Sequence, residues 1–316
     1  MSTPLTDNDK KPIASELRDA TPLLDDPEAL RAQASADGYL YFRGFLEREE
    51  VMNVRKEILE IISRDGLLDP AHPFMEGMTL PEEVHRYTQE EISWNGVGVP
   101  MHLYHEVQKL ESFHALAHHP RLIAMYRTLF GETPFVHPRN IGRIMLPHQD
   151  QKVTPSHQDF LHIQGADNTW TCWMPIGDIP KSLGGLTVLK GSRQAGLLGV
   201  TEAPGAGGLE SILCGLNYEW QTCDYQAGDI LTFHSHTVHK STPNHIPNQL
   251  RLSCDYRYQP LSAPIENNSL LPHGPYAWDE LYEGWSRTDL QFYWQKETFD
   301  FKPFDVSIRW QQEKIC

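Results

Sequence analysis

The sequence predicts a mainly β fold, an antiparallel barrel or jelly roll with flanking α-helices. Three observations point there. From Phe135 to Pro260 the chain breaks into short segments rich in Val, Ile, Thr, Trp and Tyr, separated by Gly, Pro, Asn and Asp. Upstream of that region apolar residues recur at helical spacing instead. Within it, Leu250–Tyr258 alternates strictly between apolar and polar side chains.

Residues 1–35 are polar and mixed in charge and read as a lead-in with room for one short helix. Gly38–Leu46 is a short β-rich run punctuated by glycines. Val51, Val54, Ile58, Ile61 and Ile62 then form one apolar stripe of a helix that Gly66 ends. Residues 67–100 carry Pro70, Pro73, Pro81, Gly96 and Gly98 and read as loops. Pro120 suits the first turn of a second helix, buried through Leu122, Ile123, Tyr126, Leu129 and Phe130 and stopped by Gly131. Strands are expected over Ile141–Leu146, Thr169–Ile176, Leu186–Leu189, Ile230–Phe233 and Leu250–Tyr258. The tail after Pro260 carries Trp278, Trp285, Trp294 and Trp310 and is expected to pack helices and loops back on the barrel, as a lid or a homodimer contact. With no linker-like tract, residues 36–316 are expected to form a single domain, with its β core at about 135–260 and an extension over 261–316.

Composition excludes some functions. The 316 residues carry a net charge of −15, which argues against a nucleic-acid partner, because phosphate binding needs surplus Lys and Arg. The 5 cysteines are widely spaced and odd in number, the pattern of reduced thiols. Neither an apolar leader nor a run of about 20 apolar residues is present, so the expectation is a cytoplasmic protein without a membrane span.

The chemistry is carried by Ser156-His157-Gln158-Asp159. In extended chain, residues two apart share a face, so His157 and Asp159 can offer an imidazole and a carboxylate to one metal ion. A third ligand is expected from His239, with His234, at the end of an apolar strand, as the alternative. Two His and one carboxylate on one face of an octahedron leave open positions, the arrangement of non-haem Fe(II) oxygenases. A His-x-Asp alone is weak evidence, since 16 histidines give about one such pair by chance. His148-Gln149-Asp150 is indeed a second one, but it follows Pro147 and its flanks are polar, as in a loop. Twelve residues after His239 comes Arg251, on the polar face of its strand with Ser253, Asp255 and Arg257. A polar face on a central strand is costly unless it lines a site. A guanidinium there can clamp a carboxylate, though Arg251 also fits a surface charge on an edge strand.

These pieces, in order, resemble the phytanoyl-CoA dioxygenase family of Fe(II)/2-oxoglutarate oxygenases. They are Thr154–Asp159, Thr169–Ile176, Gly184–Arg193, Gly228–His234, His239-Lys240-Ser241 and Arg251-Leu252-Ser253, and the likeness covers most of 36–262. Lys190 and Arg193 depart from the family's Pro and His in its Pro-Gly-Ser-His run. The resemblance implies a double-stranded β-helix of cupin-like form that binds Fe(II), 2-oxoglutarate and O₂. It implies that Ser241 and Arg251 bind the 2-oxoglutarate carboxylate and that Gln158, Trp170 and Thr171 lie near it. The expected activity is oxidation, by default hydroxylation, of a small-molecule metabolite. Tyr104, Arg143, Asp255 and Arg257 are candidate substrate contacts. Two other readings stay open: a cupin-like metal enzyme that does not use 2-oxoglutarate, and an inactive binding protein on the same scaffold.

Overall fold

The computed structural model describes residues 14–148, 152–213 and 216–310. Along them run β1 (Ser15–Glu16), β2 (Tyr39–Phe42), β3 (Pro134–Val136), β4 (Ile141–Met145), β5 (Trp170–Pro175) and β6 (Leu186–Leu189). Then follow β7 (Val200–Glu202), β8 (Leu209–Ser211), β9 (Trp220–Thr222), β10 (Ile230–His234), β11 (His239–Ser241) and β12 (Arg251–Pro260). The larger sheet has the order β2-β10-β5-β12-β3, with β4 also paired to β12. The smaller has the order β1-β9-β6-β11, and β7 and β8 form a separate hairpin. The two sheets pack face to face as a double-stranded β-helix. Tyr39, Tyr41, Trp173, Leu231 and Phe233 of the larger sheet meet Leu186 and Val188 of the smaller in one apolar cluster.

The alternation read from β12 is realised in full. Leu252, Cys254, Tyr256 and Tyr258 turn to the helical layer, while Arg251, Asp255 and Arg257 line the space between the sheets. The helical layer is built from α1 (Pro27–Asp37), α2 (Arg48–Arg64), α3 (Met101–Gln108), α4 (Glu111–Ala117) and α5 (Pro120–Phe130). The predicted stripe of α2 is buried from Val51 to Ile62. Gly131 ends α5 in the left-handed conformation, with φ 76°, and its N–H donates to the Arg127 carbonyl. Two tyrosines of β12 anchor this layer: the hydroxyl of Tyr256 donates to the Phe113 carbonyl and that of Tyr258 to the Ala117 carbonyl, both at 2.6 Å.

Three expectations need amending. The lead-in holds more than one short helix: β1 joins the smaller sheet parallel to β9, and α1 packs against β2 and α5. The sheet region does not begin at Phe135, because β2 pairs with β10. Residues 67–100 hold short helical turns rather than open loops, and one stretch is fixed against β4. Gly98 makes that approach possible: at φ 87°, a Cβ there would sit 2.5 Å from the Ile144 carbonyl oxygen.

The tail packs on its own chain. Trp278, Trp285 and Trp294 are buried with Phe135, Ile265 and Leu281, and the Trp285 indole N–H donates to the Lys109 carbonyl at 2.7 Å. Among the described residues no helix is long and apolar enough to cross a membrane.

Candidate active site

His157 and His239 are brought together by the backbone. Each N–H donates to the other's carbonyl at 3.0 Å, an isolated antiparallel bridge between the 154–159 segment and β11. The imidazoles consequently lie side by side, with ring centroids 4.2 Å apart. The two ligand candidates of the His-x-Asp motif do not sit on a regular strand, as the sequence had implied. His157 belongs to the bridge and Asp159 opens a 3₁₀ turn over Asp159–Leu161. Gln158 between them is extended (φ −114°, ψ 130°), which still leaves both side chains on one side.

The three side chains converge. Asp159 Oδ1 lies 3.6 Å from Nε2 of His157 and 3.6 Å from Nε2 of His239. The three ligand atoms all fall within 4.8 Å of one another, and all three residues are buried. Each imidazole is oriented by its other nitrogen. Nδ1 of His157 donates to the Pro155 carbonyl at 2.8 Å and Nδ1 of His239 to the Thr237 carbonyl at 3.0 Å. That tautomer leaves both Nε2 lone pairs free for a metal. Burial, with like-charge repulsion from His157, pushes the His239 pKa down to about 3, so its imidazole is neutral. Burial alone would raise the Asp159 pKa. Arg257 and the two imidazoles outweigh it and hold the carboxyl well below its usual range. Two imidazoles and one carboxylate are a donor set that fits Fe(II).

Arg251 lines the same cavity as the triad, with Ser241, Thr171, Leu186 and Phe233. It is 6% exposed, and among the described residues its hydrogen bond is a long one, Nη1 to the Gly185 carbonyl at 3.4 Å. Burial, with repulsion from Arg143, lowers its pKa to about 10, so it stays charged at neutral pH. A buried guanidinium with spare donors fits a dicarboxylate. Arg143 and Asp255 pair with each other across the cavity wall, Nε to Oδ2 at 3.0 Å.

Three expected contacts point elsewhere. Gln158 turns away from the triad: its Nε2 donates to the Gly196 and His236 carbonyls, and its Oε1 accepts from the Leu198 N–H. Trp170 cannot share the site with Thr171, because neighbours on β5 face opposite sides; it packs into the helical core and against His234. Tyr104 is wholly buried, its hydroxyl 2.6 Å from Nδ1 of His273 and 2.9 Å from Nε2 of Gln108. His234, the alternative ligand, receives the His236 backbone N–H and lies outside the metal cluster. Of the competing motif, Gln149 and Asp150 lie outside the described residues.

Beside the triad is a further cavity of about 200 Å³, walled by Arg139, Arg143, Arg257, His162 and His273. Arg139, His162 and His273 were not singled out in the sequence. Arg139 continues the inward alternation of Ile141 and Arg143 and was legible on that ground. His273 sits in the aperiodic tail and gave no signal.

Residues 34–249 match the family Phytanoyl-CoA dioxygenase (PhyH). The chain belongs to that family. As a phytanoyl-CoA dioxygenase family member it is a non-haem iron enzyme dependent on 2-oxoglutarate and O₂. It is 29% identical over 281 residues to the 1-deoxypentalenic acid 11-beta-hydroxylase of Streptomyces exfoliatus, covering 82% of this chain and 90% of that one. The protein of the same name from Streptomyces arenae is 30% identical over 273 residues, with the same coverages. In fold, this family member is similar to the epimerase SnoN, crystallised with Fe3+, alpha ketoglutarate and nogalamycin RO (TM-score 0.52, 19% identity, 76% of this chain and 86% of that one). It is also similar to iron-bound EctD from S. alaskensis (TM-score 0.50, 15% identity, 94% of each chain).

Proposed function

We propose that this oxygenase hydroxylates a small natural product, with His157, Asp159 and His239 holding Fe(II) and with Arg251 and Ser241 holding the distal carboxylate of 2-oxoglutarate. The observation that carries the reading is the convergence of three ligand atoms within 4.8 Å beside a buried arginine in one cavity. The names of the two Streptomyces relatives, both hydroxylases of a natural product, support hydroxylation as the outcome.

When bound, iron and the keto acid supply an oxidant that converts C–H to C–OH, while 2-oxoglutarate and O₂ become succinate and CO₂. The protein's part is positioning. The backbone bridge sets the spacing of the two imidazoles. Thr171 fixes one carboxylate oxygen of Asp159 and leaves the other for the metal. Arg251 and Ser241 orient the co-substrate from the far end of the cavity, and the apolar wall of Leu186 and Phe233 keeps that end dry. No side chain need donate or accept a proton in the C–H step. We read residues 36–316 as one oxygenase domain, because the 261–316 extension brings His273 to the cavity beside the triad.

The test is a screen of natural-product metabolites under ¹⁸O₂ with iron and 2-oxoglutarate. One labelled oxygen is expected in the product and one in succinate. Turnover of a substrate with no succinate formed would reject the co-substrate and favour a metal enzyme of the cupin kind.

A further inference from the structure

The cavity beside the triad is lined by three arginines, Arg139, Arg143 and Arg257. Arg257 is 4% exposed and lines both this cavity and the one that holds Arg251. Its Nε and Nη1 are buried without a hydrogen-bond partner, and its Nη2 reaches Asp159 Oδ2 only at 3.5 Å. Buried guanidinium donors are rarely left unmet, so such a group marks the place of an absent acceptor. Arg139 stands on the same cavity wall, with Nη1 donating to the Pro272 carbonyl at 2.6 Å.

Charge bookkeeping points the same way. With Fe(II), the Asp159 carboxylate, the 2-oxoglutarate dianion and Arg251 all present, the centre is neutral. Arg143 is answered by Asp255 at 3.0 Å. Arg257 and Arg139 remain, the latter partly offset by the field of Glu266. The other walls include the apolar side chains of Ile141, Ile163 and Ala206. Resting on the proposed oxygenase function, we infer that the substrate is a monocarboxylic acid with a compact apolar skeleton, its carboxylate seated on Arg257 and Arg139. A carboxylate accepts several N–H bonds at once and so meets both orphan donors of Arg257. The inference makes Arg257 a determinant of substrate specificity in addition to its ion pair with Asp159.

The experiment uses full-length protein loaded anaerobically with Fe(II) and 2-oxoglutarate. Binding of cyclohexanecarboxylate, 1-adamantanecarboxylate and decanoate is compared by calorimetry with that of their methyl esters. At least one acid is expected to bind ten times more tightly than its ester. Arg257→Gln should erase that preference, and Arg139→Gln, at a half-buried position, should reduce it several-fold. Circular dichroism identifies a variant that fails to fold, and in that event the Arg139→Gln result decides. Esters that match their acids in every pair overturn the inference. So does an Arg257→Gln protein that keeps the preference but needs ten times more 2-oxoglutarate for its charge-transfer band, since Arg257 would then serve the co-substrate. Absence of that band in the wild-type protein counts against the oxygenase reading instead, and the acid-to-ester ratio still reports on the subsite.

Discussion

The hydroxyl of Thr171 donates to Oδ2 of Asp159, which leaves Oδ1 facing the two imidazoles. A strand residue thus sets which oxygen of the carboxylate meets the metal. Groups that orient ligands in this way typically contribute 10- to 100-fold to metal affinity. Thr171→Val should therefore weaken Fe(II) binding by about that factor, and Thr171→Ser should restore most of it. Competition against a chelator measures both. Equal affinity in the valine variant would remove Thr171 from the site.

Arg251 gives a different signature. Truncating one partner of a buried charge pair costs about 2–5 kcal/mol of binding. Arg251→Gln should raise the 2-oxoglutarate concentration at half-saturation by about 30-fold or more, which 2 kcal/mol implies. Iron binding without 2-oxoglutarate should stay within a few-fold of wild type, because Arg251 contacts none of the three ligands. A variant that loses iron and co-substrate together would show a general collapse of the cavity.

Stability should fall on mild acidification. Burial lowers the pKa of His114 to about 4 and that of His137 to about 3. Unfolded histidine titrates near 6.5, so between there and the folded values the unfolded chain binds protons that the folded chain refuses. Stability is therefore full above about pH 6.5 and is lost as the pH falls through that window. Each of the two buried histidines should cost about 2 kcal/mol between pH 6.5 and 5. Chelator-treated protein should melt several degrees lower at pH 5 than at pH 7.5. A flat profile would contradict the buried, neutral state of these rings.

The extension should be integral to the fold. Trp285 is 9% exposed, packs on His114 and Tyr282, and donates to the Lys109 carbonyl. Trp285→Ala should cost about 3–5 kcal/mol in a single unfolding transition followed by urea denaturation. A separate early transition would instead make the extension an independent unit.

Much of this site is legible in the sequence because its geometry follows period two. The inward face of β12 carries Arg251, Asp255 and Arg257, and simple alternation finds all of them. The same rule, applied to β5, excludes Trp170 once Thr171 is assigned, and applied around Gln158 it excludes that amide. Family resemblance had grouped neighbours that alternation separates. What stayed hidden depends on contacts far apart in the chain. The bridge from His157 to His239 is one, and the bond from Tyr104 to His273, 169 residues apart, is another. Neither leaves a local pattern, and β1 and β11 are too short for periodicity to register.

The most direct test of the metal centre is anaerobic titration of the purified protein with Fe(II) and 2-oxoglutarate, followed in the visible range. A weak charge-transfer band is expected in the wild type, saturating at one iron per chain, and it should vanish in His157→Ala and in His239→Ala. A band of undiminished strength in either alanine variant would contradict the assignment of these two imidazoles to a single iron.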